Sequence, residues 1–125
     1  MVDDETDSRD FIAFVIKQAG ATVSVAESGA AAIATLMHSQ LDVLVSDIGM
    51  PEMDGYMLIR QVRSLPPEQN GQVKAIALTA YAGDFNQQQA FAAGFQRHVS
   101  KPIEPEKLVK AIAKLVETVG GNSMP

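Results

Sequence analysis

Segments with a helical period alternate along the chain with short apolar runs. Apolar residues recur at helical spacing in five segments: about 7–18, from Ser28, about 58–65, 85–93 and from Glu106. The apolar runs, which are typical of strands, lie at 21–25, 41–45, 73–78 and near Val99. Strands that alternate with helices of about ten residues predict a parallel sheet with helices on both faces.

The apolar content of each run indicates how deeply the strand lies. The runs 41–45 and 73–78 are nearly continuous, which is typical of strands covered on both faces. The run 21–25 alternates small or apolar residues with polar ones, so we expect a half-exposed edge strand. In the first helix, the spacing places Phe11, Ile12, Val15 and Ala19 on one face, which we expect to pack against the sheet.

Length and composition limit the domain count and the classes of partner. A chain of 125 residues accommodates one domain, which we expect to span 1–119, with 120–125 as a flexible tail or linker. A hydrophobic fraction of 46% and a charged fraction of 20% are typical of a globular fold. The net charge of −5 and the absence of a basic stripe argue against direct binding of nucleic acid. The absence of cysteine excludes disulfides.

The hydropathy pattern gives no indication of a membrane-embedded protein. No apolar run approaches the roughly 18 residues of a transmembrane helix. The chain opens with acidic residues rather than with a signal peptide. We therefore expect a cytoplasmic domain without membrane contacts of its own, either free or as part of a membrane-bound protein.

Polar residues stand at the ends of the predicted strands, where they could share one site. They are Asp3 and Asp4 after Val2, Asp47 after the run 41–45, Thr79 after the run 73–78, and Lys101 after Val99. The carboxyl ends of parallel strands meet at one edge of the sheet, and that edge carries the functional crevice in folds of this class.

A cluster of three carboxylates favours a bound cation. Two carboxylates about 4 Å apart repel each other by roughly 4 kcal/mol at an effective dielectric constant near 20. Short oxygen ligands suit Mg²⁺, and a carboxylate beside Mg²⁺ can attack a phosphorus atom. The transition state would need donors for its equatorial oxygens, and Lys101 and Thr79 supply an ammonium and a hydroxyl. The set is chemically complete for phosphoryl transfer to Asp47.

Four segments stand at the predicted strand ends: VDDE at 2–5, SDIGMPEMDG at 46–55, ALTA at 77–80 and SKPI at 100–103. They resemble the motifs of the response-regulator receiver family. The pattern around YMLIR at 56–60 and GFQRH at 94–98 is similar to receivers appended to hybrid sensor histidine kinases. The four motifs occur in the family's order, and the resemblance covers essentially the whole chain. It implies a flavodoxin-like α/β fold, with a doubly wound parallel sheet of five strands in the order 2-1-3-4-5.

The resemblance also implies a metal site. It casts Asp3 and Asp4 as the acidic pair that holds Mg²⁺ or Mn²⁺, with Asp4 the more direct ligand. Asp47 and the backbone carbonyl of Gly49 would complete the protein's share of the ligands.

The same resemblance assigns roles around the phosphoryl group. Asp47 would be the phosphoacceptor, Thr79 the switch hydroxyl, and Lys101 the phosphate-binding lysine ahead of Pro102, which is usually cis in this family. The family commonly has Tyr or Phe three residues before the lysine, and here that residue is His98. We expect either a strand-end histidine without a special role or, as a hypothesis, the switch residue.

The resemblance further implies the partners. The phosphoryl donor would be a histidine kinase or a phosphotransfer domain, and a downstream protein or domain would bind the face of the last helix. The chain would not be an enzyme in its own right, although it would promote its own phosphorylation and dephosphorylation and could belong to a larger hybrid kinase. Self-association into a homodimer is compatible with this interpretation.

Two departures from the family pattern concern the surroundings of Asp47 and the first strand. Gly49 leaves an open path to the phosphoryl group, whereas Tyr81 could shield it. Only Met1 and Val2 precede Asp3, so we expect the first strand to be truncated, or the fold to be rearranged or swapped. Each missing Val- or Ile-sized side chain would forgo about 1.5–3 kcal/mol of burial.

Two other functions share some of these features. A hydrolase of the haloacid dehalogenase type also forms an aspartyl phosphate at a strand end, but it needs an acid two residues later, where this chain has Gly49. A pseudo-receiver would use the same fold as a protein-interaction module without phosphorylation. The complete set of expected side chains favours the phosphoryl-accepting receiver over this alternative.

Overall fold

The computed structural model describes residues 1–80 and 84–121, and it contains the predicted alternation of strands and helices. The helices are α1 (Thr6–Gln18), α2 (Gly29–His38), α3 (Gly55–Arg63), α4 (Asp84–Ala93) and α5 (Pro105–Gly121), with a short 3-10 helix at Pro67–Gln69. The strands are β1 (Val43–Asp47), β2 (Lys74–Thr79) and β3 (Arg97–Ser100). Every predicted segment except 21–25 corresponds to an element of the predicted type.

The three strands form a parallel sheet in the order β1-β2-β3. Asp47 at the end of β1 lies opposite Leu78, and Thr79 at the end of β2 lies opposite Ser100. The strands therefore end close to one another, as parallel strands joined by helical crossovers do. This register brings the predicted site residues to one edge of the sheet.

Helices cover both faces of the sheet, so β1 and β2 are buried almost throughout. Side chains of α2 and α3 form the core on one face, including Leu36, Leu58, Ile59 and Val62. Side chains of α1 and α5 form the core on the other face, including Ile12, Val15, Leu108 and Leu115. The burial of each such side chain contributes about 1.5–3 kcal/mol, which explains why the apolar runs determine the layering.

The buried face of α1 matches the predicted one in part. Phe11 is 48% exposed and Ala19 is exposed, so their placement on the packing face is wrong, whereas Ile12 and Val15 are buried as predicted. The buried side centres on Ile12 and Ile16, and Phe11 is one residue, or about 100°, away from Ile12 around the helix. Phe14 shares the outer side with Phe11.

A single residue occupies the centre of the sheet beside β1. Val2 forms parallel bridges to Ala26 on one side and to Ser46 on the other. Its N–H donates to the carbonyl of Val45 at 2.8 Å, and its carbonyl accepts from the N–H of Asp47 at 2.9 Å. The spatial order is therefore Ala26, Val2, β1, β2, β3, which is the implied order 2-1-3-4-5. As predicted, the first strand is short: within the described residues it consists of the bridges at Val2.

Residues 21–25 do not form the predicted edge strand, although all five lie in the described part of the chain. Pairing begins at Ala26, and Val25 is 50% exposed. Met1 is the neighbour of this segment: its ammonium donates to the carbonyl of Ser24 at 2.9 Å, and its carbonyl accepts from the N–H of Ala26. A ladder needs a partner strand along its length, and here the partner consists of Met1 and Val2.

Two polar side chains fix the starts of the helices that border the site. The hydroxyl of Ser28 accepts a hydrogen bond from the N–H of Ala31 at the start of α2. The carboxylate of Asp54 accepts one from the N–H of Met57 at 2.8 Å at the start of α3. Both are N-caps, which satisfy amide groups that the first helical turn leaves without partners.

Asn70 ties the loop before β2 to the end of α2. It is 4% exposed and has a left-handed backbone with φ of 70°. Its amide group donates to the carbonyls of Leu36 and Ser39, and its side-chain oxygen accepts from the N–H of Leu41 at 3.1 Å. One side chain therefore satisfies three backbone groups, one in the last turn of α2 and two in the segment between α2 and β1.

Helix α5 extends to Gly121 and so includes the first two residues of the predicted tail. Residues 122–125 lie outside the described residues, so the tail there stays a prediction. Across residues 1–80 and 84–121, none of the helices combines the length and hydrophobicity that a bilayer crossing demands.

Candidate functional site

Three of the predicted site residues stand where successive strands end. Asp47 is the last residue of β1 and is 5% exposed, and Thr79 is the last residue of β2 and is 4% exposed. Lys101 directly follows β3, and its N–H donates to the carbonyl of Thr79 at 2.7 Å. The Lys101–Pro102 peptide bond is cis, as the resemblance implies.

The bridge at Val2 carries the acidic pair to the same edge. Asp3 is fully buried, and one of its carboxylate oxygens accepts from the N–H of Glu5 at 2.9 Å. Asp4 is exposed at the rim. Because Val2 pairs beside Ser46, the residues that follow Val2 and Ser46 emerge side by side.

Asp3, Asp4 and Asp47 each offer a carboxylate oxygen, and these oxygens all lie within 4.8 Å of one another. Oδ2 of Asp3 is buried and has no hydrogen-bond partner within residues 1–80 and 84–121. A buried carboxylate oxygen without a partner is costly, and a cation among the three carboxylates would remove that cost. The predicted acidic cluster is present, and its chemistry fits a hard divalent cation such as Mg²⁺.

Lys101 provides positive charge on the other side of Asp47. Its Nζ lies 2.9 Å from Oδ1 of Asp47. Burial raises the pKa of Asp47, the hydrogen bond and charge of Lys101 only partly offset this, and the charge of Asp3 adds to the rise. Burial acts to lower the pKa of Lys101, but Asp47 outweighs it, so that pKa is raised. One ammonium therefore does not neutralise the site.

The loop after β1 is folded tightly behind Asp47. The N–H of Gly55 donates to the carbonyl of Ile48 at 2.9 Å, which closes the loop. A Cβ at Gly55 would lie 2.6 Å from the backbone carbonyl of Asp47, so a side chain there would displace the acceptor strand. Gly55 thus acts through backbone shape.

The surroundings of Asp47 are open on the side of Gly49. Gly49 is exposed, and within the described ranges no atom lies within 4 Å of the point where a Cβ would stand. The open path predicted there is present, and the role of its carbonyl stays a prediction. Tyr81, the residue predicted to shield the phosphoryl group, lies outside the described residues.

Sequence reasoning missed one residue that braces the acidic pair. Arg9 on α1 donates from its guanidinium Nη1 to the backbone carbonyl of Asp3 at 3.0 Å. The N–H of Arg9 also donates to the carbonyl of Glu5 at 2.9 Å, so the turn at 3–5 is held at both ends. An arginine six residues after Asp3, on the first helix, is the signal that could have found it.

His98 is half-buried on β3, opposite Ala77. The structure places it on the strand that leads to Lys101, three residues away, and apart from the acidic cluster. Its predicted role as a switch residue therefore concerns transmission along β3 and not contact with the metal ligands.

Comparison with known sequences identifies relatives over most of the chain. Residues 1–113 match the response regulator receiver domain. The chain is 41% identical over 112 residues to an "uncharacterized 14.6 kDa protein in sodA1 3′ region" of Leptolyngbya boryana, covering 90% of this chain and 84% of that protein. It is 34% identical to histidine kinase 2 of Arabidopsis thaliana, covering 94% of this chain but 12% of the kinase.

Solved structures show the same architecture. Chemotaxis protein CheY4 of Vibrio cholerae superposes with a TM-score of 0.84 at 29% identity, covering 91% of this chain and 93% of that one. The receiver domain of Francisella response regulator 1452 gives a TM-score of 0.85 at 25% identity, with 94% of each chain covered. These likenesses confirm the flavodoxin-like α/β fold. The chain belongs to the response regulator receiver family of two-component signalling.

Proposed function

We propose that this chain accepts a phosphoryl group on Asp47 from a histidine kinase or a phosphotransfer domain, in a reaction that depends on Mg²⁺. The observation that carries the proposal is the placement of Asp47 between two acidic side chains within 4.8 Å and the ammonium of Lys101 at 2.9 Å. A nucleophilic carboxylate flanked by a cation site and a fixed ammonium suits phosphoryl transfer.

The chemistry uses the side chains at the strand ends. A carboxylate oxygen of Asp47 forms a bond to phosphorus, and the bond from phosphorus to the donor's nitrogen breaks with its electron pair staying on that nitrogen. Lys101 and the hydroxyl of Thr79 each bind an equatorial oxygen and so stabilise the negative charge that develops there. Both stand next to Asp47 at the carboxyl edge of the sheet.

The acidic pair would hold the metal ion. Asp3, Asp4, Asp47 and the backbone carbonyl of Gly49 are the residues that would bind Mg²⁺, or Mn²⁺ in its place. When bound, the ion neutralises phosphoryl oxygens and positions them for in-line attack. The partnerless Oδ2 of Asp3 supports this assignment.

The residue two positions after Asp47 argues against a hydrolase. An aspartyl-phosphate hydrolase of the haloacid dehalogenase type needs an acid at that position, and Gly49 has no side chain. The phosphoryl group on Asp47 would therefore act as a signal. Thr79 would respond to it as the switch hydroxyl, and His98 would pass the change along β3.

We further propose that the domain works in the cytoplasm, alone or as part of a hybrid kinase. The relatives include histidine kinases that are much longer than this chain. The signal would pass to a downstream protein or domain through the face of α5, without contact with nucleic acid or membrane. A homodimer would be a second way to use that face.

Acetyl phosphate and Mg²⁺ test the proposal directly. Intact mass spectrometry should show one phosphoryl adduct on the wild-type chain, no adduct in Asp47→Asn and none in the presence of EDTA. Asp54→Asn is the matched control, because Asn caps a helix as well as Asp does, and it should be phosphorylated normally.

The outcome also separates the receiver from its alternative. A wild-type chain without an adduct would favour the pseudo-receiver, and an adduct that persists in Asp47→Asn would overturn the assignment of the acceptor. For the switch, a His98→Ala variant that transmits phosphorylation to a partner as well as wild type would remove the role of His98.

A further inference from the structure

A cavity of about 530 Å³ lies between β3 and α5. Its walls are β3, the cis-proline turn that follows, and the side of α5 that carries Lys107, Lys110 and Lys114. We call this cavity the basic groove. Asp3, Asp4 and Asp47 do not line it, so the groove is separate from the proposed metal site.

The charge of the basic groove is opposite to that of the whole chain. The chain has ten Lys and Arg residues against fifteen Asp and Glu. Within the described ranges, half of the ten cations line the groove but one acid does, Glu104; the cations are Arg97, Lys101, Lys107, Lys110 and Lys114. A concentration of positive charge on an acidic protein attracts negatively charged partners.

The acid in the groove neutralises little of this charge. Glu104 lies 3.5 Å from Lys107, and the two side chains are 64% and 71% exposed. An ion pair this exposed is strongly screened by water and contributes little. Lys107 therefore remains able to bind a carboxylate from another molecule.

The spacing of the lysines on α5 indicates the shape of the ligand. Lys107, Lys110 and Lys114 are at positions i, i+3 and i+7, so they share one side of the helix and span about 10 Å along its axis. All three are exposed. A small anion would need cations that converge on one point, whereas a row of this length matches several carboxylates on one segment of polypeptide.

His98 gives a second, independent indication of a ligand. It lines the groove, and its Nε2 is buried without a hydrogen-bond partner among the residues that the structure describes. Buried polar atoms are normally satisfied, and a ligand that enters the groove and displaces the side chain of His98 would supply the missing partner. The cations and His98 therefore point to the same occupant.

We propose that the basic groove binds an acidic segment of the downstream partner protein, with its carboxylates along Lys107 and Lys110 and a polar group at His98. This inference rests on the proposed function for the direction of the signal, and it specifies the chemistry of the partner. Lys101 is common to the two sites, because the same residue lines the groove and contacts Asp47.

A pair of matched peptides tests the proposal on the unphosphorylated chain. The probe is a fluorescein-labelled helical peptide with glutamates at i, i+3 and i+7, and the control peptide has glutamine at those positions. Fluorescence anisotropy should show binding of the glutamate peptide that weakens with salt. The Lys107→Gln/Lys110→Gln variant should bind about tenfold more weakly. The Lys17→Gln/Arg60→Gln variant, with the same change in net charge outside the groove, should bind like wild type.

Each other outcome would overturn the proposal. An equal loss of peptide affinity in the two variants, or no peptide binding by wild type, would show that the groove is not the peptide-binding site. Competition by inorganic triphosphate at the peptide's own concentration would assign the groove to a small anion. A homodimer in sedimentation velocity that depends on Lys107 and Lys110 would assign it to a second copy of the chain.

The proposed function is tested separately in the same variants. Lys107→Gln/Lys110→Gln should gain a phosphoryl adduct from acetyl phosphate as wild type does, because neither lysine touches Asp47. Peptide binding without any adduct on wild type would contradict phosphorylation of Asp47 and still support the acidic ligand. An adduct without peptide binding would contradict the groove alone.

Discussion

The ammonium of Lys101 lies 2.9 Å from a carboxylate oxygen of Asp47, yet the pKa of Asp47 is raised. Burial outweighs the attraction of the ion pair, and the neighbouring charge of Asp3 adds to the effect. The metal-free fold therefore holds a carboxylate that is ionised at some cost in stability. This arrangement suits a site that binds a cation. In the absence of metal, it makes the stability of the fold depend on pH.

The first prediction concerns the pH dependence of the metal-free protein. Because the pKa of Asp47 is raised on folding, the folded state binds this proton more tightly than the unfolded state does. The contribution of Asp47 to stability should therefore fall as pH rises from 3.8 through the raised pKa. Urea unfolding in EDTA should show wild type losing stability relative to Asp47→Asn over that window. A difference that stays constant with pH would contradict the prediction.

The second prediction is that Asp3 lowers the stability of the metal-free protein but is needed for metal binding. Asp3→Asn removes a fully buried charge while keeping an oxygen that can accept from the N–H of Glu5. We expect the free energy of unfolding in EDTA to rise by about 1–3 kcal/mol. The stabilisation that Mg²⁺ gives the wild type should largely disappear. Thermal unfolding with and without Mg²⁺ measures both, and a variant that is destabilised in EDTA would contradict the reasoning.

The third prediction concerns the loop before β2. Asn70→Ala leaves the carbonyls of Leu36 and Ser39 and the N–H of Leu41 without their side-chain partner, and it places Ala at a φ of 70°. We expect a loss of about 2–4 kcal/mol in urea unfolding, with an unchanged m value. Gln72→Ala, an exposed position in the same loop, is the control and should be neutral. A neutral Asn70→Ala would show that the loop is held by other contacts.

The fourth prediction concerns the position of the first strand, between β1 and the segment 21–25. Val2 bridges Ala26 and Ser46 in parallel, so residues added before Met1 would run between the segments 21–25 and 43–45. Four apolar residues added there should raise the melting temperature markedly, since each buried Val-sized side chain contributes about 1.5–3 kcal/mol. Amide hydrogen exchange in 21–25 should slow.

An extension of the same length made of Gly and Ser serves as the control for that experiment. It can form backbone hydrogen bonds but buries no apolar side chain, so it should have much less effect on the melting temperature. Equal melting temperatures for the apolar extension and the unextended chain would contradict the prediction.

The sequence predicted the elements and the site wherever local pattern and chemistry agree. Asp47, Thr79 and Lys101 follow apolar runs, and parallel pairing necessarily brings such positions to one edge of the sheet. Phe11 was placed wrongly because helical spacing alone does not fix which side of a broad apolar stripe faces the sheet. The segment 21–25 was placed wrongly because a strand depends on its partner as much as on its own sequence.

The contacts of Arg9 and Asn70 were beyond prediction for a different reason. Asn70 binds backbone groups about thirty residues away, and those groups come within reach only after the chain has folded. Arg9 has a local partner in Asp3, but many exposed helical arginines have none. Polar side chains that bind backbone groups do not recur at a regular spacing in the sequence, so no sequence pattern predicts their contacts.

Lys101 lines the basic groove and contacts Asp47, so it is the residue through which the two sites would be coupled. If phosphorylation or a phosphoryl analogue at Asp47 changes the groove's affinity for an acidic segment, then that segment must change the affinity for the analogue by the same factor. The downstream partner would thus act as an effector of the acceptor site as well as its target. Its local concentration would help to set how much of the domain is in the active state.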